Sequence, residues 1–99
     1  MKVVFTPEAE QQADEMDTWW RAHRPKAPGL FARELAAVRE SIAGTPTLGV
    51  RYRTRSGKVA QRILMPKTRT HVYFEVDEEQ DMVVVLAVWG APRRRGPRL

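Results

Sequence analysis

Apolar residues recur four, three and four positions apart at Ala9, Ala13, Met16 and Trp20, and again at Phe31, Leu35, Val38 and Ile42. That spacing lays each set along one side of a helix. The first helix has a start with a mechanism. The Thr6 hydroxyl caps free backbone N–H groups, Pro7 suits the first helical position, and Glu8 meets the positive end of the dipole. Glu10, Asp14 and Asp17 fall off the apolar side. Pro25 disfavours helical geometry in the residue before it, so this helix fades near His23. The second helix opens at or near Pro28. Gly44 stands where a left-handed cap would close it, and Pro46 blocks continuation. Two amphipathic helices on a short Pro- and Gly-containing link make a helical hairpin, and each needs a surface to cover.

Shorter runs of β-branched and aromatic residues supply that surface. Val3-Val4-Phe5 reads as a first strand, and Val50–Thr54 as a short one before the Ser56-Gly57 turn. Val59–Met65 and Thr70–Val76 are stronger strands joined by Pro66-Lys67-Thr68-Arg69. After the polar turn Asp77–Gln80, Met82–Trp89 is apolar on both faces, which suits the interior of a sheet. Residues 90–99 hold two glycines, two prolines and four arginines, and read as a loosely ordered basic tail. The expected fold is α+β: an N-terminal strand, a helical hairpin, then three or four antiparallel strands, with the helices packed on one face of the sheet.

Ninety-nine residues accommodate one domain, spanning 1–99. The absence of cysteine excludes a disulfide framework, a thiol nucleophile and Cys-based metal sites. With His23 and His71 the only histidines, no metal or cofactor is expected. The longest apolar run, eight residues at Met82–Trp89, is far short of the ~20 that span a bilayer. No signal peptide is visible, so the expectation is a cytoplasmic domain without membrane contact.

Charge placement says more than the net +5. Residues 49–74 hold seven basic side chains (Arg51, Arg53, Arg55, Lys58, Arg62, Lys67 and Arg69) and no acidic one. Residues 75–82 hold five acidic side chains and no basic one. Such segregation suits a basic surface that meets phosphates or an acidic protein; the plainer reading is a solvated face.

If Met65 pairs with Thr70, the antiparallel register sets Arg62 opposite Tyr73 and Leu64 opposite His71. Val72, Phe74 and Val76 then face the helices, while Arg62, His71 and Tyr73 share the exposed side with the arginine tail beside them. A guanidinium, an imidazole and a phenol together bind a phosphate or move a proton. The plainer reading is a cross-strand pair with a histidine packing at the sheet surface. Trp19 and Trp20 are adjacent and cannot both point into the core, so one leans toward an interface or wraps over Pro25. His23 is a dipole-compatible helix end without a functional role. Glu8/Glu10 and Asp14/Asp17 read as a solvated helix face. No glycine-rich phosphate loop, Ser-His-Asp order or HExxH motif is present.

Several stretches, in order and spacing, resemble the RelE/ParE family of bacterial type II toxins. They are Val3-Val4-Phe5-Thr6-Pro7-Glu8-Ala9, the helical hairpin, Arg62-Ile63-Leu64-Met65-Pro66, Thr70-His71-Val72-Tyr73-Phe74-Glu75-Val76-Asp77, and Val84-Val85-Leu86-Ala87-Val88-Trp89 before the arginines. The resemblance implies a small toxin neutralised by a cognate antitoxin. RelE-like members cut messenger RNA on the ribosome without metal, and ParE-like members poison DNA gyrase. Under the nuclease reading the candidate catalytic residues are Arg62, His71, Tyr73, Arg93 and Arg94. However, Gly90 stands where many relatives carry histidine, Gln61 where they often carry arginine, and residues 90–99 hold neither tyrosine nor histidine. The expectation is therefore a ParE-like toxin that inhibits growth by binding gyrase, with a ribosome-dependent RNA endonuclease as the alternative and a non-toxic binding module as the third. An acidic amphipathic antitoxin segment is expected on Arg51, Arg53, Arg62, Tyr73, Trp19, Arg93, Arg94 and Arg95.

Overall fold

The computed structural model describes every residue except Arg94. The chain runs β1 (Lys2–Phe5), α1 (Pro7–His23), α2 (Leu30–Gly44), β2 (Val50–Arg53), β3 (Val59–Met65), β4 (Thr70–Asp77) and β5 (Met82–Gly90). The strands form one sheet in the order β1-β5-β4-β3-β2. β2 to β5 make antiparallel pairs, and β1 adds in parallel to β5 through Lys2↔Met82 to Phe5↔Val85. This is the expected α+β fold, with the four-strand option for the antiparallel part. β5 lies between β1 and β4, which is why its run is apolar on both sides.

α1 begins as its residues dictate: Thr6 Oγ1 accepts the Ala9 N–H at 3.1 Å, and Pro7 occupies the first turn. Phe31, Ile42, Ala9 and Ala13 are buried against Val3, Met65, Val72, Phe74, Val83, Val85 and Val88, and Met16, Trp20, Leu35 and Val38 close around them. Both apolar helix faces thus meet the same side of the sheet.

Two expectations need correction. Gly44 is the last helical residue and has no positive φ; the helix closes at Thr45, whose φ is −136°. Pro46 pushes Thr45 out of the helical region, so no left-handed glycine is required. The described residues of the tail are not loose. The Ala91 N–H donates to the Arg69 carbonyl at 2.8 Å, the Trp89 indole N–H donates to the Arg95 carbonyl at 2.7 Å, and the Arg55 N–H donates to the Leu99 backbone oxygen at 2.6 Å. Gly96 thereby lies against Tyr52 and Tyr73 on the sheet face opposite the helices, and Pro97 is buried. That face carries Tyr52, Ala60, Tyr73, Ala87 and Trp89, enough apolar area to favour a cover.

Candidate functional site

The register of β3 and β4 places the key side chains. Arg62 stands opposite Tyr73 and Leu64 opposite His71, as the Met65–Thr70 pairing predicts. Residues directly paired across a sheet share a face. The face opposite the helices therefore carries Val50 and Tyr52 from β2, Arg62 and Leu64 from β3, His71 and Tyr73 from β4, and Ala87 and Trp89 from β5. A bulge between Val85 and Ala87 leaves Leu86 without a β4 partner and keeps Trp89 and Ala87 on that face.

Arg62, His71 and Tyr73 do come together. The His71 and Tyr73 rings lie 6.1 Å apart edge to face, Tyr73 meets Tyr52 edge-on at 4.9 Å, and the Arg62 guanidinium carbon sits 5.9 Å from the Tyr52 ring centre. Burial, with Arg62 adding to it, lowers the His71 pKa from 6.5, so the imidazole is neutral at pH 7.

Tyr73 is not exposed, contrary to expectation: only 2% of it is accessible. The tail covers it. A Cβ built on Gly96 would lie 3.3 Å from the Tyr52 hydroxyl and 4.0 Å from that of Tyr73. The Trp89–Arg95 hydrogen bond holds the tail there, and the Arg93 guanidinium stacks over the Trp89 ring at 4.2 Å.

Arg51 and Arg53 do not join Arg62. They alternate with Val50 and Tyr52, so they lie on the helix side of the sheet, exposed because β2 is the edge strand beyond the helices. Gln61, not Arg62, faces that side as well. Its Nε2 donates to the Leu48 carbonyl at 2.9 Å and fastens the loop before β2. Arg62 is therefore the one of the two that reaches the open face. Arg94 lies outside the described residues. Trp19 is 45% exposed and stacks in parallel on His23 at 4.5 Å, while Trp20 packs against the core. Trp19 also lines a groove of about 550 Å³ with Met16 of α1, Val88 and Trp89 of β5, and Arg93.

Other contributors escaped the sequence reading. Tyr52 could have been placed by alternation from Val50. Glu34 of α2 accepts from the Lys67 and Thr68 N–H groups at 2.8 and 2.9 Å and from the Thr68 hydroxyl at 2.6 Å, gripping the β3–β4 turn. The Gln12 side chain of α1 accepts the Val88 N–H at 2.8 Å, where β1 has already ended and offers no ladder partner. No local pattern marks a long-range partner of this kind.

Among the described residues the one ion pair is Arg21–Asp17 at 3.0 Å. The arginines of β2, β3 and the described tail therefore have no carboxylate of this chain within salt-bridge reach. Among the described residues no helix is long and apolar enough to cross a membrane. No protein-family model matches the chain, and no curated protein matches it.

Proposed function

We propose that this chain is the toxin component of a type II toxin–antitoxin pair of the RelE/ParE kind, and that it inhibits growth by binding DNA gyrase. The likeness noted in the sequence and the β-α-α-β-β-β-β order with helices on one face support the toxin reading. The covered state of Tyr73 carries the choice of mode. Metal-free RNA cleavage needs a base for the 2′-hydroxyl, an acid for the leaving oxygen and cations for the phosphorane. His71 and Arg62 meet two of these needs, but the phenol that would be the acid is buried beside Gly96 of the tail. A surface that binds is better supported than one that cuts.

One observation favours the nuclease alternative. His71 is neutral at pH 7 beside a guanidinium, the form a general base requires. The proposed seat of a cognate antitoxin is the groove of Met16, Trp19, Val88 and Trp89, where Arg93 would meet a carboxylate.

Induction in bacteria without an antitoxin, with growth, plasmid topology and message integrity read together, separates the possibilities. The gyrase reading expects arrested growth with altered topology and intact messages, and inhibited supercoiling by purified gyrase. Unaffected supercoiling at high toxin excess overturns it. Codon-specific message cleavage, abolished by Arg62→Ala or Tyr73→Phe, establishes the nuclease instead. Unimpaired growth on induction establishes a non-toxic module on the same fold.

A further inference from the structure

The sheet has two outer edges, β1 and β2. β1 is shielded by α2, whose Arg39 Nη2 donates to the Val3 carbonyl at 3.2 Å. β2 has no strand beyond it, and its backbone groups can be followed one by one. The Thr54 N–H donates to the Lys58 carbonyl at 2.8 Å, so these two residues form a hydrogen-bonded pair. Such pairs alternate along an antiparallel ladder. Tyr52↔Ala60 and Val50↔Arg62 are then the next bonded pairs, and Arg51, Arg53 and Arg55 aim their backbone N–H and C=O groups outward. The Arg55 N–H is already taken, by the Leu99 backbone oxygen at 2.6 Å. That contact shows that the row accepts a chain laid beside it, and it closes the row at this end. Arg51 and Arg53 are the stations left open.

We propose that the outer edge of β2 is a latent pairing surface for a second copy of this chain, and that the Arg51 and Arg53 side chains keep the copies apart. The inference goes beyond the toxin reading and does not rest on it.

An open row of backbone donors and acceptors is a template for another strand. Apolar side chains stand beside this one: Val50 on β2 itself, and Val59 and Leu64 on the neighbouring β3, are all exposed. A second β2 laid antiparallel, with Arg51 of one copy opposite Arg53 of the other, would turn both open stations into bonded pairs. Directly paired residues share a face, with Cα atoms about 5.5 Å apart, so the arginines of both copies would crowd one side of the joined sheet. Like charges placed opposite each other oppose pairing. No carboxylate of the chain offsets them, since Arg21–Asp17 is the one ion pair among the described residues. The core does not explain these arginines either: β2 lies beyond the helices, and both side chains are exposed. With a strand of four residues the contact would be small, so a modest repulsion decides whether it forms.

Sedimentation equilibrium of the full chain up to about 0.5 mM tests this, in the range where small interfaces associate. The native chain is expected to stay monomeric. Arg51→Thr/Arg53→Thr removes the charge and suits a strand, and should raise the weight-average mass by about a third or more at the highest concentration. Arg51→Thr/Arg53→Pro removes the same charge together with an outward N–H that the ladder does not use, and should stay monomeric. Lys26→Gln/Arg33→Gln removes equal charge from the helical hairpin and should stay monomeric too. Arg51→Glu/Arg53→Glu should be monomeric alone yet form a mixed dimer with the native chain, because opposite charges then face each other across the edge. Self-association of the native chain overturns the inference, as does the absence of both the Thr/Thr dimer and the mixed dimer. Equal association of the Thr/Pro variant would assign the contact to side chains rather than the strand edge. Equal association of the hairpin variant would assign it to net charge. Either result overturns pairing at β2.

Discussion

Glu34 shows how one side chain can hold two layers together. It accepts three hydrogen bonds from the β3–β4 turn, two of them from backbone N–H groups that would otherwise lack protein partners. Carboxylate hydrogen bonds of this kind are stronger than neutral ones. Glu34→Ala is expected to destabilise the fold by about 1–3 kcal/mol, measured as a fall in the urea midpoint at constant slope. A change confined to the noise of that midpoint would mean that water replaces the carboxylate without loss. His71 makes a different prediction. Its folded pKa lies below 6.5, so in the interval between that value and 6.5 the unfolded chain binds more protons. Its contribution to stability is complete above pH 6.5 and is lost as pH falls through the folded value. His71→Gln should therefore flatten the fall in stability just below pH 6.5 relative to the native chain, in denaturant melts at a series of pH values. Parallel curves for the two proteins would contradict the burial of the imidazole.

Among the elements, β2 depends on a backbone position and the tail on an aromatic one. Gly49 enters β2 at φ +88°, and a Cβ there would sit 2.4 Å from the Arg62 carbonyl oxygen. Gly57 also has positive φ, +86°, but faces open space. Gly49→Ala should therefore cost about 2 kcal/mol or more and fray the β2–β3 pairing, while Gly57→Ala costs only about 1 kcal/mol. Hydrogen exchange at Tyr52 and Arg53 reads the difference, and equal effects would show that the close approach relaxes freely. Deleting residues 91–99 should uncover Tyr73. Nitration followed by mass mapping is expected to modify Tyr73 in the truncated chain and spare it in the full one. Protection of Tyr73 in both would assign its burial to the sheet alone.

For the molecule as a whole, the toxin proposal assigns an antitoxin two kinds of surface: arginines without a carboxylate partner among the described residues, and the groove between α1 and β5 where Met16, Trp19, Val88 and Trp89 are joined by Glu8, Glu15 and Arg93. Under that proposal apolar contacts are expected to carry most of the affinity, with charge speeding encounter. Raising salt should slow association more than it hastens dissociation, and neutralising Arg93, Arg94 and Arg95 together should flatten that dependence in stopped-flow measurements. An association rate indifferent to salt would refute this division.

The helices, the strands and the Arg62–Tyr73 register were legible along the chain because periodicity, capping and a four-residue turn are local signals. Helix spacing at Ala9 to Trp20 and Phe31 to Ile42 requires no knowledge of neighbours, and alternation in β4 assigns its faces in the same way. The parallel docking of β1 beside β5 joins residues about eighty positions apart, and no short stretch encodes it. Nor did any local signal show that Arg51 and Arg53 would part from Arg62, since that depends on which face of an edge strand the helices reach. The tail is the clearest case. Read alone, its glycines, prolines and arginines lack the apolar spacing of an ordered element. It is ordered because Trp89, Tyr52 and Tyr73, brought together from three strands, offer a surface that Gly96 and Pro97 can cover. Local free energies write themselves into neighbouring residues; a cover over Tyr73 exists only once distant strands have made the face it covers.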